Sequence, residues 1–151
     1  MKLINSNEII IKKSRFLGFY YEISSPNEVN SILENLKKEH KKARHFPYAY
    51  IIQGTAKKSD DKEPSGTAGM PIYTVLERKK LNNTLIVIIR YFGGIKLGAG
   101  GLFRAYMETA SKVVNSSLPA SILSISKSAP AKLMLAGTIS ILGFILGTMA
   151  C

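Results

Sequence analysis

Apolar residues at Val29, Ile32, Leu33 and Leu36 recur at three- and four-residue spacing, which is the period of one helix face and predicts a helix ending near His40. Ser25-Pro26-Asn27-Glu28 marks its start, reading as a capping box with proline at the first helical position. Thr84 to Ile89 is different, a nearly unbroken apolar run of the kind expected for a buried central strand. Helical spacing returns at Leu102, Tyr106, Thr109, Ala110 and Val113, on a helix predicted to begin near Ala99 or Gly100 and to end at about Asn115, with Arg104 and Glu108 on another face. Glu8 to Lys12 and Arg15 to Ile23 read as a strand pair, Phe46 to Gln53 as a third strand, and Thr67 to Lys80 as containing a second helix. The order β-β-α-β-α-β-α predicts an α+β two-layer sandwich with helices covering one sheet face. The pattern does not reveal the hand of its crossovers.

Between the apolar strand and the last helix lies Arg90 to Tyr106, which carries five glycines and the cations Arg90, Lys96 and Arg104. Glycine admits positive φ and close approach of a ligand to the backbone, while amides at a helix start and fixed cations favour an anion. Gly93, Gly94, Gly98, Gly100 and Gly101 with the three cations are therefore the candidate phosphate or nucleic-acid site. The segment is neither a Walker A loop, lacking Gly-Lys-Ser or Gly-Lys-Thr, nor a dinucleotide fingerprint. The same glycines could equally serve a tight turn and close helix–sheet packing.

Ser59 to Pro71 is a second turn-rich segment. Asp60, Asp61 and Glu63 are oxygen donors of the type that hold Mg²⁺ beside a phosphate, and they are also the residues that build turns and cap helices. Ser65 and Thr67 read as caps rather than nucleophiles, because no histidine and carboxylate are placed to activate them. His45, at the start of a predicted strand, reads as a structural residue that is also able to titrate, and His40 as a helix-end cap. Two histidines and one cysteine leave little from which to build a zinc site or a Cys-His hydrolase. Tyr91, Phe92, Phe103 and Tyr106 flank the glycines. They offer stacking surfaces for bases, although Phe92 and Tyr106 adjoin a strand and a helix face and could be core.

Together the two turn-rich segments closely resemble the signature motifs of the YigZ/IMPACT family of translation-associated proteins. The match extends to Lys13-Ser14-Arg15-Phe16 and to Ala43, His45, Ala49 and Tyr50, and covers residues 8–115. The resemblance implies a fold similar to domain two of ribosomal small-subunit protein five, with a left-handed βαβ crossover, shared by domain IV of elongation factor G and by GHMP-type kinases. Those relatives include RNA binders and phosphotransferases, so the fold leaves function open. The family usually has glycine where this chain has Lys62. Bacterial members also carry a second, ferredoxin-like domain, which residues 116–151 are too few and too dissimilar to supply. Eukaryotic members regulate translation initiation through a starvation-responsive kinase pathway using an additional domain absent from this sequence, so that role is not carried over.

Composition adds a partner class. The net charge of +11 favours polyanions such as RNA, although a lysine-rich composition alone would also produce it. Lys37, Lys38, Lys41 and Lys42 suit the end of a helix dipole and read first as a solvated helix end. The lone cysteine, Cys151, permits no intrachain disulfide, and Met1 to Glu8 has no signal-peptide core, so a cytoplasmic setting is expected. Leu133 to Cys151 is uncharged and long enough to span a bilayer, with Gly143 and Gly147 four apart, and it is equally readable as a packed or altered-frame end.

The domains expected are thus 1–115 and an atypical tail, 116–151. The leading functional expectation is a translation-associated, non-enzymatic binder of RNA or the ribosome. Its accessory positions are Arg15, His45, Asp60, Asp61, Glu63, Ser65, Thr67 and Tyr91, with no catalytic residue or metal ligand assigned. The alternative is a small-molecule phosphotransferase or hydrolase, with the Gly-rich loop on phosphate and the acidic segment on Mg²⁺. A third class is an interaction module with an acidic protein partner.

Overall fold

A computed structural model describes residues 1–117, and Met1–Ser117 form one compact unit. The expectations for residues 133–151 lie outside the described residues. The elements are β1 (Lys2–Ile11), β2 (Ser14–Glu22), α1 (Pro26–Glu39), β3 (Tyr48–Ile52), β4 (Thr55–Ser59), α2 (Gly69–Arg78), β5 (Thr84–Tyr91) and α3 (Gly98–Asn115). The strands form one sheet in the order β1-β2-β5-β3-β4, and every neighbouring pair is antiparallel. The mixed α+β class is as expected. β4 is an added strand, so the chain reads β-β-α-β-β-α-β-α.

The apolar run of β5 occupies the middle of the sheet, buried from Thr84 to Arg90. Its alternation splits the core in two. Ile86 and Ile88 pack with Phe16, Ile72, Leu76, Leu102, Tyr106 and Val113 beneath α2 and α3. Leu85, Val87 and Ile89 pack with Val29, Ile32, Leu36 and Phe46 beneath α1. The sheet and the α2–α3 layer are the two-layer body expected; α1 covers the opposite face, not the same one. A strand that is apolar at every position must find cover on both faces, and α1 supplies the second cover.

The capping box of α1 is displaced by one residue. Glu28 reaches back to the backbone N–H and hydroxyl of Ser24, at 3.2 and 2.7 Å, while Ser25 makes no side-chain cap. Two tight hairpins shape the ends of the sheet, Lys12-Lys13 between β1 and β2 and Gln53-Gly54 between β3 and β4, each with both residues at positive φ. Paired positive φ values belong to the turn that follows the twist of antiparallel strands.

Candidate functional site

The link from Phe92 to Leu97 joins β5 to α3 and packs at Gly93 against the Lys12-Lys13 hairpin. Gly93 has no room for a side chain there, since a Cβ would lie 2.0 Å from the Lys13 carbonyl oxygen. The Gly93 N–H donates to the hydroxyl of Ser14, which is fully buried, at 3.2 Å. This glycine therefore serves close packing. Gly94 and Gly98, at φ 92° and 76°, reverse the chain into α3 with open space around their α-carbons. Gly100 and Gly101 lie within the first turn of α3, whose N-terminus has no side-chain cap.

Arg90 continues the β5 alternation toward α2 and α3, so its guanidinium enters the interior with only 6% of the residue exposed. Its Nη1 donates to both oxygens of Glu63, each at 3.0 Å, and its Nη2 to Ser14 Oγ at 3.4 Å. The Tyr106 hydroxyl also donates to Glu63. Burial and the adjacent Glu63 charge push that hydroxyl far above the ordinary tyrosine range. Removing one partner of such a pair leaves an uncompensated buried charge, at a cost of about 3–5 kcal/mol. Arg90 is thus committed to Glu63, and its guanidinium also lies 5.6 Å from the Phe16 ring and 5.4 Å from that of Phe92.

His45 pairs its backbone with Arg90 in an isolated antiparallel bridge. Its Nδ1 lies 3.1 Å from the Asp61 carbonyl. A carbonyl only accepts, so Nδ1 carries the hydrogen, and Nε2 lies 4.0 Å from Glu63 Oε1.

The acidic segment does not converge on one point. Asp60 caps α2 from a distance, accepting from the N–H groups of Gly66, Ala68 and Gly69 at 2.9, 3.1 and 2.8 Å. Burial alone would raise its pKa, but these three amides outweigh burial and hold it below the ordinary value. Asp61 accepts from the Phe46 N–H at 2.7 Å, and Glu63 faces Arg90. Thr67 donates to the Pro64 carbonyl at 2.6 Å, the turn role its sequence suggests, and Ser65 is exposed. Among the described residues no three metal-binding side chains come together.

Above the buried pair opens a cleft of ≈ 800 Å³, walled by the α1–β3 connection, Pro64 and the start of α3. Lys42, Arg44 and Lys96 line it, are exposed, and take no part in an ion pair among the described residues. His45, Glu63, Arg90, Tyr91 and Gly98 also line it, so these predicted residues are brought together. Arg104 is exposed on α3 outside this lining, and Arg15 is spent on Glu8 at 2.6 Å, over the Tyr91 ring. The Tyr91 hydroxyl is held by His40 Nδ1 at 2.6 Å. Sequence reasoning passed over Arg44 and read Lys42 as a helix end; α1 stops at Glu39, which leaves Lys42 on the loop that reaches the cleft. Ser14 was missed as a support. It stood in the Lys13-Ser14-Arg15-Phe16 match, but nothing local to that segment gave it a partner.

Residues 12–114 match the family model described as the Impact N-terminal domain. The chain is 44% identical over 118 residues to the IMPACT family member YvyE of Bacillus subtilis (strain 168), across 76% of this chain and 54% of that one. It is 36% identical to an IMPACT family member of Haemophilus influenzae, across 72% of this chain and 56% of the relative. A solved structure, titled as that of a hypothetical protein, superposes with a TM-score of 0.70 at 31% identity, covering 74% of this chain and 56% of the other. The chain thus spans about half the length of the curated relatives it matches. By both the matched domain and these relatives, the chain belongs to the IMPACT family.

Proposed function

We propose that this chain is a cytoplasmic, translation-associated protein that binds RNA or the ribosome through the cleft at the amino end of α3. The association with translation comes from the family resemblance. The single observation that carries the binding reading is the cleft's charge: Lys42, Arg44 and Lys96 face an opening of ≈ 800 Å³ without ion-pair partners among the described residues. Uncommitted cations on a concave surface are what a phosphate backbone requires. The buried Arg90–Glu63 pair contributes a rigid floor rather than contacts to phosphate. The phosphotransferase alternative draws less support, because Asp60 and Asp61 spend oxygens on backbone amides.

Binding of a short RNA to the protein, titrated by fluorescence anisotropy across salt concentrations, tests the reading. Three phosphate contacts predict a log–log slope on the order of −2 for a single strand, at about 0.7 per contact. Lys42→Ala, Arg44→Ala and Lys96→Ala should each make the slope shallower by about 0.7. A slope near zero, or no binding at low salt, overturns the RNA reading and leaves an acidic protein surface as the partner to test.

A further inference from the structure

We propose that Phe92 is a base-stacking platform, so that the cleft takes single-stranded RNA in preference to duplex; this rests on the RNA reading above. Phe92 follows β5 directly, yet 56% of it is exposed, whereas Tyr106, the other aromatic in doubt from sequence, is fully buried. Leaving a phenylalanine in water forgoes about 1.5–3 kcal/mol of burial. Phe92 lies on the lining of the cleft, and the cleft divides by chemistry. Pro64, Phe92, Leu97 and Leu102 supply apolar surface, while Lys42, Arg44 and Lys96 supply charge. A nucleotide is divided in the same way, into a flat, weakly hydrated base and a charged phosphate.

The ring has a fixed charged neighbour. The Arg90 guanidinium lies 5.4 Å from its centroid and is itself fixed by both oxygens of Glu63. This gives the buried ion pair a task beyond packing, which is to support the aromatic surface that carries it toward solvent. A volume of ≈ 800 Å³ is within the range of small-molecule sites, so the cleft has room for a nucleotide or two. In a duplex the base faces are already stacked on each other and are not offered to Phe92.

The test compares three probes on the full chain: a single-stranded RNA oligomer, a duplex of the same length, and an abasic ribose-phosphate oligomer. Wild type should prefer the single strand over both others. Phe92→Ala should weaken single-strand affinity by about 5- to 150-fold, the loss expected for one stacked base, with an unchanged salt slope. Phe92→Trp should retain affinity, which also controls for folding. Equal affinity for the three probes, or wild-type affinity in Phe92→Ala, overturns the stacking role while leaving the salt-dependent RNA reading intact. If wild type binds no RNA at low salt, both fall.

Discussion

Lys62 stands at φ 75°, next to Asp61 at φ 43°, in the turn that delivers Glu63 to Arg90. A side chain in this left-handed region costs roughly 1–2 kcal/mol, while glycine's extra freedom in the unfolded chain costs about 0.5–1 kcal/mol. Strain relief is the larger effect. Lys62→Gly is therefore expected to stabilise the protein by about 0.5–1 kcal/mol, and Lys62→Ala is not; urea unfolding of the three proteins decides, and a destabilised Lys62→Gly would show that the turn is not strained. This position was legible beforehand, because Lys62 departs from the glycine that the family resemblance implies there. The fate of Arg90 was not legible. Its partner Glu63 lies 27 positions away, and local sequence cannot tell a committed cation from a free one. The same blindness hid Lys42 and Arg44, which are ordinary helix-end cations until the α1–β3 connection brings them to Lys96.

Helix α2 shows how an element can depend on a residue outside it. Its N-cap position is Ala68, which has no capping side chain, and Asp60 supplies the missing acceptors. Asp60→Ala should cost about 0.5–2 kcal/mol at neutral pH, the usual worth of a cap. The pH dependence has a fixed sign. The folded-state pKa of Asp60 lies below the ordinary 3.8, so its charge-linked stabilisation is complete above pH 3.8 and is lost as pH falls through the folded value. The stability gap between wild type and Asp60→Ala should therefore be constant near neutrality and narrow below pH 3.8; a gap that stays the same at lower pH would mean the carboxylate's charge is not involved. Elements with a strong period, α1, α3 and β5, were readable from sequence with small shifts at their ends. β4 was not, because Thr55 to Lys58 are all exposed and so carry no alternation. Only Gly54, at φ 83° in the turn before it, marks the hairpin.

For the whole molecule, the arrangement of the two cores bears on whether the described unit needs the rest of the chain. The core beneath α2 and α3 closes with Val113 and Val114, and the one beneath α1 is built from residues between Ile23 and Ile89. Each face of the central strand is thus covered from within Met1–Ser117. Asn5 reinforces the closure by donating from β1 to the Val113 carbonyl at 2.9 Å and to Ser116 Oγ at 2.6 Å, which ties the end of α3 to the first strand. A length of 117 residues is also near the common domain size and can bury a sufficient core. Residues 1–117 expressed alone should therefore unfold cooperatively in urea, with an m-value on the order of 1–3 kcal/mol/M. Their RNA affinity should equal that of the full chain, since among the described residues the cleft is lined by residues between Lys42 and Leu102. A non-cooperative transition in the truncated form would place part of the core beyond residue 117. Cooperative folding with weakened RNA binding would instead give residues 118–151 a share in the partner, and the cleft would be only part of the binding surface.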